Sequence, residues 1–224
     1  MSMPNLLVDQ SSHHVIWNLF LAFVPVALAF IIALGIRIDL REHRRIRWVI
    51  WAPLLFVWLI FLPNTCYLLT EWRHYLKVVS NSNLYFESNT DPDAKLALLW
   101  TTLFFIVYTG MGVLTFFLSV WPLDRLIRPR LGPFSWLFGT LFFVLVALGV
   151  YLGLVNRFNS WQLARPAHLI QIVSSAIETL GHPMRTGVIV GFGASLWLIY
   201  ATFDIWMDGA IWRLRKRGWL KAQP

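Results

Sequence analysis

Five long stretches of this 224-residue chain contain no Asp, Glu, Lys or Arg. About 20 apolar residues in a helix are enough to cross the hydrocarbon core of a bilayer. Helix is the expected conformation, because lipid offers the backbone no hydrogen-bond partners and every peptide group must be satisfied within its own segment. The pattern therefore predicts five membrane spans. The charge-free stretches are 15–36, 48–70, 96–121, 134–155 and 186–203.

Composition agrees with a membrane location, since 58% of the residues are hydrophobic and only 13% are charged. A soluble domain of this size needs more polar surface. We predict an all-α integral membrane helix bundle, a single transmembrane domain over residues 1–224, with five transmembrane helices and a short outer-face interfacial helix. The spans are expected at 15–36, 48–70, 96–121, 134–155 and 186–206, and the interfacial helix at 166–180.

The basic residues predict the orientation of these spans. They concentrate in the first loop, the third loop and the C-terminal tail, which lie on one side of the membrane if the spans alternate. An excess of Lys and Arg marks the cytoplasmic side, so the N-terminus is expected outside and the C-terminus inside. Residues 1–14 contain no Lys or Arg, so the first stretch is interpreted as a span and not as a signal peptide. The net charge of +8 then reflects topology and contact with anionic lipids, and no nucleic-acid partner is expected.

The second span ends in a polar block, FLPNTCYLLTEWRH at 61–74. Proline weakens a helix because it lacks an N–H and frees the carbonyl four residues earlier, and Asn64 is placed to satisfy freed backbone groups. Glu71 and His74 are three residues apart and would share one face of a helix. This block contributes five residues to a candidate ligand-binding or structural polar cluster: Asn64, Tyr67, Thr70, Glu71 and His74.

A second polar block, NRFNSWQ at 156–162, follows the fourth span. Alternating spans put both blocks on the outer side, so we predict that they form one cluster, with Glu71 and Arg157 as an ion pair. Arg73 is the competing partner for Glu71. The alternative is an interfacial anchor, where Arg and Trp are common. The second block adds Arg157, Asn159, Ser160 and Trp161 to the candidate cluster.

Neither a metal nor a cofactor is expected. None of the six His lies in a span, and no span carries a central charged residue of the kind that transporters use for ion pathways. Glu71 and His74 have the spacing of a metal-ligand pair in di-iron bundles, but such sites need a second pair and further carboxylates. Asp204 and Asp208, near the inner end of the fifth span, are expected to pair with arginines of the C-terminal tail.

Small residues predict one contact between spans. Gly149 and Gly153 in the fourth span, and Gly187 and Gly191 in the fifth, are each four apart and at a similar depth, which lets two helix backbones approach closely. We therefore expect spans four and five to touch there. Residues 166–180 carry a one-sided apolar stripe and are too few for an ordinary span, so we expect them to lie along the outer interface.

At three places the sequence resembles domain-of-unknown-function family 1361, bacterial multi-pass membrane proteins with no established activity. The first span carries NLFLA at 18–22, and the two polar blocks carry FLPNTCYLLTEWRH and RFNSWQ. Glu71 and Gln162 stand where that family usually has Asp, so the first block keeps its carboxylate and the second loses one. The resemblance covers all five spans. It implies the membrane fold, the site residues and a bacterial cytoplasmic membrane, but no reaction.

Three functions fit these residues. The preferred interpretation is a non-enzymatic accessory subunit, or a binder of a lipid headgroup or small polar ligand, in which Arg157 would hold a phosphate or carboxylate. Its partners would be membrane lipids and another membrane protein. The alternative is a membrane-embedded enzyme that acts on a lipid-linked substrate, with Glu71 or His74 as general base, although no nucleophile-plus-base motif is present. The third is a purely structural polar network.

Overall fold

A computed structural model describes residues 11–42, 45–132, 135–158, 162 and 165–219, and every regular element among them is helical. Pro63 separates the first two helical pieces of the second span, and Leu68–Thr70 forms a 3-10 turn after them. The helices are α1 (Ser11–Arg41), α2 (Trp48–Phe61), α3 (Pro63–Tyr67), α4 (Trp72–Asn81), α5 (Leu84–Glu87), α6 (Pro92–Leu131), α7 (Ser135–Leu154), α8 (Pro166–Leu180) and α9 (Pro183–Lys216).

Four helical segments are long and apolar enough to cross a membrane. The part of α7 at Gly139–Leu154 is also apolar but shorter. The predicted all-α membrane fold is confirmed. The predicted interfacial segment is the separate helix α8, whereas its orientation in the membrane stays a prediction. The four long segments are His14–Arg41, Trp48–Asn81, Pro92–Leu131 and Pro183–Lys216.

The chain divides into two compact units, Met1–Leu123 and Asp124–Pro224, and the boundary falls inside α6. In the first unit, α1 packs along α2 and α3. Buried Ala22, Leu68 and Tyr108 form a core cluster there, so α1, the 3-10 turn and α6 meet at one point. The single domain expected over residues 1–224 stays a prediction.

The break between α2 and α4 is buried. Pro63 has no N–H to donate to the Leu59 carbonyl. After the break, the Thr65 hydroxyl donates to the carbonyl of Leu62 at 2.7 Å. Gly112 of α6 makes room for the break: a Cβ at this position would lie 2.7 Å from Leu68 Cβ and 3.2 Å from the Thr65 carbonyl oxygen. The irregular backbone is therefore tolerated at membrane depth because protein, and not lipid, surrounds it.

In the second unit, α7 packs along α9, so the expected contact between these spans is correct. The glycines predicted to form this contact on α9 are not the ones that do so, because Gly187 and Gly191 face open space. The close approach is at Gly193, where a Cβ would lie 3.1 Å from Val144 Cα. Gly193 is two residues beyond Gly191 and hence on a different face of the helix, so the spacing pattern selected the wrong face.

The expected pairing of Asp204 with arginines of the C-terminal tail is also wrong. Asp204 accepts hydrogen bonds from Arg125 at 3.0 Å and from Arg128 at 2.8 Å, both in the last turns of α6. Arg125 also pairs with Asp208. The tail arginines lie further along α9 on its exposed end, whereas Asp204 faces inward and is buried. Spacing along one helix identified the wrong cations because the partners lie on another helix.

A second buried carboxylate, Asp39, organises the loop between α1 and α2. Its side chain accepts a hydrogen bond from the Trp51 indole N–H at 2.9 Å and pairs with Arg47 at 3.0 Å. The Trp51 ring occupies the space beside Gly35 that any side chain would fill. This cluster fixes the start of α2 against the end of α1, and no feature of the sequence spacing predicted it.

Candidate functional site

The first polar block sits where α3 ends and α4 begins. Asn64 is buried in α3, and Tyr67 and Thr70 are half-buried on the following turn. The Thr70 hydroxyl donates to the Tyr67 carbonyl at 2.8 Å, so it serves the backbone of the turn. Glu71 is the residue immediately before α4. Its backbone carbonyl accepts a hydrogen bond from the backbone N–H of His74, in the first turn of that helix, at 2.8 Å. Between α3 and α4 the backbone dihedral angles stay helical, but the regular pattern of α-helical hydrogen bonds is interrupted.

Glu71 and His74 share one face, as their spacing predicts. His74 Nδ1 lies 3.9 Å from Glu71 Oε2, and the two side chains are 58% and 19% exposed. The carboxylate is thus mostly covered while the imidazole reaches solvent. Arg73, the competing partner proposed from the sequence, makes no ion pair within the described part of the chain. Among the described residues, His74 and not Arg73 is the basic side chain beside Glu71.

Tyr108 of α6 joins this cluster, which was not predicted. Its hydroxyl is buried and makes no complete hydrogen bond with any residue that the structure describes. Asn18 of α1 and Glu71 are the polar side chains near this hydroxyl. Polar groups from α1, from the turn before α4 and from α6 thus converge. Only the polar character of Asn18 and Tyr108 within charge-free stretches hinted at this arrangement.

A second tyrosine fixes α4 beside this cluster. The Tyr75 hydroxyl lies 3.0 Å from the Thr102 hydroxyl of α6. The Tyr75 ring meets Phe105 edge to face, with 5.5 Å between ring centroids. Unlike Tyr108, this tyrosine has its hydroxyl satisfied by the protein. Tyr108 on α6 is thus a buried phenol without a complete hydrogen bond, and Tyr75 on the neighbouring α4 is a half-buried phenol with one. The two can be compared directly by mutation.

The second polar block lies in the other unit. Arg157 is exposed just after α7 and has a left-handed backbone, with φ of 58°. Helix ends commonly place glycine in this conformation, because a Cβ makes it unfavourable. Asn159, Ser160 and Trp161 lie outside the described residues. The predicted contact of Arg157 with Glu71 would join the two units and stays a prediction.

The chemistry available in the first unit is that of hydrogen bonding and proton exchange. Within the described ranges, no group of three or more His, Cys, Asp or Glu side chains is placed to hold a metal ion. Cys66 is buried next to the Thr65 hydroxyl. The cluster offers one carboxylate, one imidazole, an amide and a phenol, which together both donate and accept hydrogen bonds.

The helices and their apolar composition define the class: this is an all-α, multi-pass membrane protein. Within that class the chain belongs to the family described as "Protein of unknown function (DUF1361)", whose model matches residues 17–199. The match includes the first span and both polar blocks, so the resemblance read from those residues is confirmed. Searches of curated proteins and of solved structures found no match.

Proposed function

We propose that this protein is a non-enzymatic membrane component that binds a lipid headgroup or a small polar ligand at an outer-face site. The observation that carries the proposal is the buried hydroxyl of Tyr108, which forms no hydrogen bond of full geometry with a described residue and has Asn18 and Glu71 as polar neighbours. An unpaired buried polar group destabilises a protein by about 1–3 kcal/mol. A polar atom of a ligand, placed against Tyr108 and Glu71, removes that penalty on binding.

The site is proposed to open toward the outer face of a bacterial cytoplasmic membrane. In this arrangement the N-terminus is outside and the C-terminus is cytoplasmic, as the distribution of basic residues favours. Membrane lipids are the proposed partners, and a second membrane protein is the proposed assembly partner of an accessory subunit.

An enzyme acting on a lipid-linked substrate is the second candidate, and the Glu71–His74 pair favours it. The two side chains are 3.9 Å apart, which is longer than a hydrogen bond, and the exposed His74 imidazole is the group that could act as a general base. Such an enzyme would lose turnover in a His74→Gln variant while it retains bound substrate. A binder would lose or weaken the bound molecule in the same variant, because one hydrogen-bonding group is gone and no chemical step exists.

Two tyrosine variants test the binding proposal against its matched control. Tyr108→Phe removes a hydroxyl that forms no hydrogen bond of full geometry in the described protein, whereas Tyr75→Phe removes one that is bonded to Thr102. Both proteins are purified from native membranes, and the molecules that accompany them are identified by mass spectrometry. Tyr108→Phe should lose the accompanying molecule with an unchanged or higher melting temperature. Tyr75→Phe should keep the molecule but lose about 1 kcal/mol of stability.

The comparison separates a ligand from a purely structural network. If unsubstituted protein carries no molecule beyond the bulk lipid composition, the binding proposal is wrong. If Tyr108→Phe and Tyr75→Phe retain the same molecule equally, the ligand does not use Tyr108 and the site is elsewhere. If Tyr108→Phe lowers the melting temperature and changes nothing else, a buried water in a structural network accounts for the hydroxyl.

A further inference from the structure

Helix α4 carries an exposed apolar edge beside exposed cations. Trp72 and Leu76 are four residues apart and share one edge of the helix. Leu76 is 65% exposed, and Trp72 is exposed as well. Arg73 and Lys77 are also four residues apart, lie on the adjoining face and are exposed. The helix is therefore amphipathic, with its apolar edge uncovered by the described protein.

The protein itself decides which face of α4 is left uncovered. Tyr75 holds the helix to α6 through the hydroxyl contact with Thr102 at 3.0 Å and the ring contact with Phe105. Tyr75 lies on the opposite side of the Trp72–Leu76 edge from the cations. The apolar edge thus lies between the face packed on α6 and the face that carries Arg73 and Lys77. A surface that meets both the edge and the cations would bind the helix along its length.

The short helix α5 continues the same kind of surface. Asn83 has a left-handed backbone, with φ of 50°, and turns the chain between α4 and α5. Leu84 is buried and anchors α5. Tyr85 and Phe86 stay exposed, and their rings meet edge to face with 5.6 Å between centroids. Two large aromatic side chains therefore project from the segment that follows α4.

We propose that α4 and α5 lie in the bilayer interface and that this surface binds anionic phospholipids. Trp72, Leu76, Tyr85 and Phe86 enter the boundary of the acyl region, and Arg73 and Lys77 contact lipid phosphates. The bilayer is the occupant because α4 follows the apolar second span after a single 3-10 turn and one residue, so headgroups are its nearest surroundings. Trp and Tyr are the side chains favoured at that depth.

The exposed cations of α4 indicate that the bound lipids are anionic. Arg73 and Lys77 make no ion pair within the described part of the chain, so both cations are available to lipid phosphates. Each Lys or Arg close to an anionic surface favours binding by about 1 kcal/mol, which is about fivefold. The inference does not depend on a ligand at Tyr108, because none of the groups it uses belongs to the proposed pocket.

A fluorescent probe on a cysteine introduced as Leu76→Cys tests the contact with the bilayer, and Lys77→Cys on the adjoining face is the matched control. Each cysteine carries an environment-sensitive fluorophore, and the full-length protein is reconstituted in vesicles that contain brominated lipids. Unsubstituted protein reports the background from Cys66, which is buried. The probe at 76 should shift to the blue and be quenched strongly by bromine, whereas the probe at 77, at the level of the lipid phosphates, should shift less and be quenched less. Phe86→Cys provides a second apolar site if Leu76→Cys fails to fold.

Lipid class is tested by comparing brominated phosphatidylglycerol with brominated phosphatidylcholine as quencher of the probe at 76. Phosphatidylglycerol should quench several-fold more strongly at low salt, and Arg73→Gln with Lys77→Gln should abolish that preference. Arg185→Gln, an exposed cation in the other unit, should leave it unchanged. A probe at 76 that stays unquenched in both lipids places the edge against water or a protein partner and overturns the proposal. Equal quenching by both lipids overturns the anionic specificity.

Discussion

Asp204 illustrates how a single carboxylate can hold the end of α6 to α9 in the second unit. Its side chain is 9% exposed and accepts hydrogen bonds from Arg125 and Arg128. Arg128 also pairs with Asp124, and Asp124 accepts a hydrogen bond from the buried Tyr200 at 2.7 Å. The charges on the end of α6 and on α9 therefore form one connected network. A network of this kind stabilises a contact only while every member keeps a partner.

We expect Asp204→Asn to lower the free energy of unfolding by about 2 kcal/mol. This is below the 3–5 kcal/mol found when one partner of a fully buried ion pair is removed, because Arg125 and Arg128 are partly exposed and keep other carboxylates nearby. Asp208→Asn is the matched control: its side chain is 54% exposed, so its loss should change stability by at most about 1 kcal/mol. Thermal unfolding in detergent gives both values. Equal losses for the two variants would show that burial of Asp204 contributes nothing.

At the scale of helices, the contact between α6 and the break after α2 depends on one glycine. A Cβ at Gly112 would lie 2.7 Å from Leu68 Cβ and close to the backbone of Thr65 and Leu69. Real Cβ atoms do not approach side-chain carbon atoms so closely, and packed interiors do not yield easily. The broken segment and α6 must therefore separate if any side chain is introduced at this position.

Gly112→Ala should destabilise the first unit by about 1–3 kcal/mol, the usual effect of overpacking. Gly110→Ala, two residues away on the same helix, meets nothing within 4 Å and should be neutral or slightly stabilising. The measurement is the melting temperature of each variant in the same detergent. A Gly112→Ala protein as stable as Gly110→Ala would mean that the break can move away from α6 without loss.

The elements themselves could be predicted from the sequence, and most contacts between them could not. Charge-free stretches identify helices because lipid excludes charge, and the one-sided apolar stripe identified α8 with its observed bounds. Spacing within one helix also placed Glu71 beside His74. It could not show that Tyr108 lies near Glu71, that Gly193 replaces Gly191 at the helix contact, or that Asp204 meets Arg125. Those facts depend on how two helices are rotated against each other, which a pattern along one chain does not contain.

At the scale of the whole molecule, the proposed binding of an outer-leaflet headgroup depends on which side of the membrane the polar cluster faces. The end of α3, the residue Glu71 and the start of α4 carry the cluster, and the loop after α1 carries the basic residues. If the basic loop is cytoplasmic, the second span puts the cluster outside. The proposed outer-face location of the cluster, and its binding of a headgroup from the outer leaflet, both follow from that orientation.

Labelling of His74→Cys and Arg45→Cys in intact cells tests this claim most directly. Both positions are exposed, and the native Cys66 is buried, so unsubstituted protein gives the background. A membrane-impermeant maleimide should label residue 74 without permeabilisation and residue 45 only after it. Labelling of residue 45 from outside, with residue 74 protected until permeabilisation, would contradict the account, because the polar cluster would then face the cytoplasm.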